Sequence, residues 1–130
     1  MLIFGHSFIP SESLYHITDI DSIINTPSSS IIYIEFSQEN LDIIEHANSN
    51  SIEFALDVKN ITELIYASAL GAKYIVLSRE MAKTAQNIAE NYLFDAKILV
   101  HISDNDETEE LALLGIDGVI FSNAIIKINS

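Results

Sequence analysis

Five short runs of apolar, mostly β-branched residues recur along this chain: Ile31–Phe36, Ile52–Asp57, Tyr74–Ser78, Ile98–Ile102 and Val119–Ser122, with starts 20 to 25 residues apart. Within each run apolar residues follow one another instead of alternating with polar ones, which marks strands covered on both faces, as in a parallel sheet. Parallel neighbours cannot be joined by a tight turn, and gaps of this length hold one helix and two short loops. The sequence therefore predicts an α/β fold with a mostly parallel sheet of about five βα repeats over residues 31–130.

The gaps carry helical periodicity. Met81, Ala85, Ile88, Ala89 and Tyr92 fall on one helix face, and Ile61, Leu64, Ile65 and Ser68 repeat the pattern upstream. Asn60 followed by Glu63 has capping-box character. Ser37, Ser78 and Ser103 or Asp104 stand where the other helices should begin, and the acidic run Asp104–Glu110 suits the positive end of the last helix dipole. Gly71 and Gly115 stand where two helices should end, in the related phrases LGAKYIVL and LGIDGVIF. Residues 1–30 read differently: an irregular segment or a hairpin, with strands in MLIFG and SLYHI, a bend at Ser11-Glu12-Ser13 and a helical turn over Asp19–Asn25. Ala124–Ile128 adds a further apolar strand or short helix.

Two open architectures fit this order, a doubly wound sheet of flavodoxin or receiver type and a partial barrel of successive βα units; the doubly wound sheet is the expectation. With 130 residues the chain forms one domain, too short for a complete eight-unit barrel. Cys is absent, which excludes disulfides and thiolate chemistry. The net charge of −13 argues against nucleic acid and anionic membrane surfaces. No apolar run approaches membrane-spanning length and no basic, apolar leader opens the chain, so a cytoplasmic, soluble protein is expected.

In sheets of this kind ligands bind beyond the carboxyl ends of the strands. Ser and Asn at those ends are what helix capping alone selects. Glu35, Asp57, Lys59, Arg79 and His101 are not explained that way. Carboxylates in apolar strands are costly unless partnered, and Lys59 and Arg79 are two of only six basic residues. Structural ion pairs, Asp57 with Lys59 or Arg79 with Glu35, are one reading. The other is an anion pocket in which Lys59, Arg79 and Glu35 bind the ligand while His101 and Asp57 serve as acid and base. The four histidines show no metal-binding spacing, and no glycine-rich phosphate loop or GxSxG elbow is present, so neither a metal nor a cofactor is expected. The acidic pair of a receiver domain is also missing after MLIFG, where His6-Ser7 follows.

The phrase LALLGIDGVIFSNA (Leu111–Ala124) resembles the closing βα unit of glycerophosphodiester phosphodiesterase barrels, and Gly5-His6 with Pro10-Ser11-Glu12 resembles that family's opening. Ser7 stands where the family has Arg, and its Glu-x-Asp metal pair has no counterpart, since Glu53 and Asp57 are spaced differently. DVKN (57–60) and ELIYASALGAKYIVLS (63–78) are similar to repeat units of phosphate-binding barrels in general. The resemblance implies helix-on-strand packing of the (β/α) kind and does not carry catalysis with it. The leading functional expectation is a non-catalytic module that binds a partner protein or another copy of itself as a homo-oligomer. The alternative is an enzyme or binding domain for a small anionic ligand, a phosphoester or carboxylate.

Overall fold

The computed structural model describes residues 1–128; the last two positions of the expected repeat region lie outside the described residues. Eight strands form one sheet: β1 Leu2–Phe4, β2 Leu14–His16, β3 Ile31–Glu35, β4 Phe54–Asp57, β5 Tyr74–Leu77, β6 Lys97–Ile102, β7 Gly118–Phe121 and β8 Ile125–Lys127. Four α-helices connect the middle strands: α1 Leu41–Ser49, α2 Ile61–Ala69, α3 Ala82–Asn91 and α4 Asp106–Leu113. Every strand pairing is parallel, and the order is β1-β7-β6-β5-β4-β3-β2-β8. No helix is long and apolar enough to cross a membrane among the described residues.

From β2 to β7 the chain steps to the next position in the same direction every time. Right-handed crossovers then put every helix on the same face. A doubly wound sheet requires the order to reverse partway, so that expectation gives way to the partial-barrel alternative, an open curled sheet. Alternate residues separate cleanly. Ile32, Ile34, Leu56, Ile75 and Val100 pack outward against Ile43, Leu64, Ala85 and Leu111 of the helices. Phe4, Leu14, Tyr33, Tyr74, Val76, Leu99 and Ile120 point inward and form a second core with one another.

The curl is severe. β7 and β8 lie almost at opposite ends of the strand order, yet only the 3-10 turn Ser122–Ala124 separates them. The Phe4 and Tyr74 rings meet edge-to-face at 5.3 Å although two strands intervene. An aromatic pair of this geometry contributes about 0.5–1.5 kcal/mol beyond its burial. The inner space is tight enough that a Cβ on Gly118 would lie 2.7 Å from Leu2 and Leu99 atoms.

The N-terminal segment is not a hairpin. β1 pairs with β7 and β2 with β3, so the two strands lie far apart in the sheet. The expected helical turn is present as a 3-10 helix over Ile20–Asn25, with the Asp19 side chain accepting from the Ser22 amide. Ala124–Ile128 contributes β8, which covers the free side of β2. The buried stripes of two helices are rotated from the expected ones. α2 buries Leu64 and Ala67, and α3 buries Ala82, Ala85, Gln86 and Ala89. Alanines let the helix axes approach the sheet, which moves Ile65 and Tyr92 to exposed flanks.

All four α-helices end alike, with a left-handed residue followed by one whose amide returns to the last helical turn: Ile52 to Ala47, Ala72 to Ala67, Phe94 to Ala89 and Ile116 to Leu111. The left-handed positions are Ser51, Gly71, Leu93 and Gly115. A leucine with φ of 53° carries a backbone cost that glycine avoids, and Leu93 recovers little by packing since it is 85% exposed. Leu93→Gly is expected to raise the unfolding free energy by about 1 kcal/mol. Gly115→Ala, with φ of 76° and open space around its Cβ position, is expected to lower it by a similar amount. Urea unfolding midpoints compared at unchanged slope check both.

Candidate functional site

Inward-facing positions near the carboxyl ends of β3 to β6 change from apolar to polar. A pocket of about 380 Å³ opens there, lined by Tyr33, Asp57, Lys59, Ser78 and His101, with Val76 and Ile125 among its apolar walls. β8 supplies Ile125, so the strand that follows the turn after β7 closes part of the pocket wall. A larger hollow of about 610 Å³ lies at the other end of the sheet, between the 26–30 loop and the end of α1; the one titratable residue in its lining is Glu53, which is ion-paired with Lys73 at 3.0 Å.

Asp57 is the last residue of β4 and follows Ala55 on the inner face, so its carboxyl starts from an apolar interior. Tyr33, buried on the neighbouring strand, donates its hydroxyl to Asp57 Oδ2. Burial pushes the Asp57 carboxyl above the usual aspartate range, against the opposing pull of the Tyr33 hydrogen bond and the Lys59 charge; Glu35 pushes the same way as burial and His101 pulls it down. The Tyr33 phenol is driven upward too, by burial first and then by Asp57, so it stays protonated and donating. The His16 ring stands edge-on to Tyr33 at 5.2 Å.

Lys59 follows the strand end, exposed, and makes no ion pair among the described residues. Its backbone amide is held by Glu63 Oε1 at 2.9 Å, while Asn60 accepts from the Glu63 amide at 2.9 Å. The capping pair thus fixes the loop that presents Lys59. Ser37 also caps, accepting from the Glu39 amide at 3.2 Å. Ser78 lines the pocket and makes no side-chain cap bond. His101 is exposed on β6, with Nε2 3.0 Å from the Ser122 hydroxyl.

Two residues expected at this edge stand apart from the pocket. Arg79 comes directly after inward-facing Ser78, so alternation turns it to the helix side, where it pairs with Glu110 and, at 3.4 Å, with Glu107 of α4. Glu35 ends β3 in register with Asp57 but is exposed at the rim, acting on Asp57 and Tyr33 through its charge. Neither the Asp57–Lys59 nor the Arg79–Glu35 ion pair forms among the described residues. Tyr33 is the pocket residue that the sequence reading passed over; sharing strand parity with Glu35 was the available signal. No group of three or more His, Asp or Glu side chains that could hold a metal is present among the described residues.

The raised Asp57 pKa has a stability consequence with a definite sign. Between its unfolded value, near 4, and its higher folded value, the folded state binds more protons than the unfolded state, so this group's contribution falls as pH rises through that window. Asp57→Asn removes the titration and can still accept from Tyr33. The variant is expected to gain stability relative to wild type as pH goes from 4 to 7, measured by denaturant unfolding at each pH.

No family model matches the chain, and no curated protein matches it.

Proposed function

We propose that the mouth of the sheet binds a small metabolite carrying one anionic group, a phosphomonoester or a carboxylate. The carrying observation is that Lys59, the Asp57–Tyr33 pair, Ser78 and His101 share one pocket at the carboxyl ends of parallel strands. Its volume of about 380 Å³ suits a small ligand. Lys59, which makes no ion pair among the described residues, meets the anion, while Asp57 and Ser78 take the ligand's hydroxyl or amide groups.

A thermal-shift panel of sugar phosphates and small carboxylates tests this. A ligand at a hundred times its dissociation constant adds about 2.7 kcal/mol, and the shift is expected to disappear in Lys59→Ala. A flat response across the panel, or a shift unchanged in Lys59→Ala, would refute the reading.

A second reading, association with another copy of the chain, is favoured by an apolar groove between α2 and the end of α3. Ile65, Ile88, Phe94 and the strongly exposed Tyr92 and Leu93 line it. The residues that project are also those that form the groove, so two copies can seat each other's anchors about a two-fold axis. With −13 on each copy, such a dimer should tighten as salt screens the repulsion. Light scattering is expected to show a dimer that strengthens with salt and is lost in Tyr92→Ser; a monomer at every salt concentration rules it out.

A further inference from the structure

We infer that Ser122 is a nucleophile activated by His101, so that the mouth hydrolyses a small ester whose acid or alcohol part carries the anionic group. The inference rests on the ligand reading above only for the choice of substrate. The nucleophile itself stands on the geometry of the turn after β7.

Ser122 is the first residue past β7, exposed at the head of the 3-10 turn Ser122–Ala124. His101 Nε2 lies 3.0 Å from its hydroxyl, within the reach a base needs to take that proton. The same imidazole lines the pocket with Asp57, Lys59 and Ser78, and Ser122 stands beside it, one hydrogen bond from the pocket wall. The turn is also held in place. Asn123 Nδ2 donates to the Gly5 carbonyl at 2.7 Å, and the His6 ring lies 5.8 Å from that of Phe121. Gly5 itself has φ of 93°, and a Cβ there would come within 2.9 Å of Asn123 Oδ1 and 3.1 Å of Phe121 and Ala124. A reactive hydroxyl benefits from such fixing, because misplacement by an ångström costs rate.

In the reaction Ser122 Oγ bonds to the ester carbonyl carbon as its proton passes to His101 Nε2. Collapse breaks the bond to the alcohol oxygen, which leaves with that proton. Water then attacks the acyl-serine and gives a proton to His101, and Ser122 Oγ takes the proton back as the acid departs.

Full-length protein treated with an alkyl fluorophosphonate and mapped by peptide mass spectrometry tests the pair. One adduct is expected on Ser122, absent in Ser122→Ala and formed at least about tenfold more slowly in His101→Gln of unchanged circular dichroism. No adduct on Ser122, or equal rates in wild type and His101→Gln, would overturn it. The probe does not depend on an anionic group, so labelling together with a flat metabolite panel refutes the ligand reading alone. A panel shift without labelling refutes the nucleophile alone.

Discussion

The inner face of this strongly curled parallel sheet has its own side chains to pack against, and the rest of the structure follows from that constraint. Helices cover the outer face, so outward positions can be large and regularly apolar. Inward positions converge, and the space each may fill depends on strands across the interior. Gly118 is bare because Leu2 and Leu99 occupy its room, while Phe4 reaches Tyr74 from another part of the sheet. Towards the carboxyl ends the filling stops being apolar, and the pocket is the unfilled end of that interior.

The electrostatics of the mouth follow from the same geometry. Asp57 projects from an apolar inner face, and Tyr33, itself part of the inner core, supplies the hydrogen bond that makes the carboxyl tolerable there. Strand alternation divides the two cations of this edge between different tasks. Arg79 is drawn to the acidic start of α4, leaving Lys59 as the basic side chain in the pocket lining. Against a net charge of −13, the positive charge in this pocket is local to Lys59.

Much of this was legible in the residues. Continuous apolar runs marked β3 to β7, and Gly71 and Gly115 marked two helix ends, because those signals are local. The curl was not legible, because a strand buried by helices on both faces and one buried by helices outside and its own sheet inside show the same apolar run. The helix stripes were read around the largest residues, whereas the packing uses alanines. Asp57, Lys59 and His101 were found from their strand-end positions and share the pocket. Arg79 was placed with them because position was weighed without parity, and Tyr33 was passed over because a tyrosine in an apolar strand reads as core.

The two outermost pairings join opposite ends of the chain, Leu2 with Gly118 and Leu14 with Ile125, whereas β3 to β6 pair with their neighbours in sequence. Contacts between distant segments carry the larger loop-closure entropy and form late. The helix-backed middle can therefore organise before the edges. The pocket wall is complete only when β8 brings Ile125, and the turn before β8, which sets Ser122 beside His101, is braced by Gly5. A chain that has built its helical layer but not its outer strands thus has a core and an incomplete pocket wall.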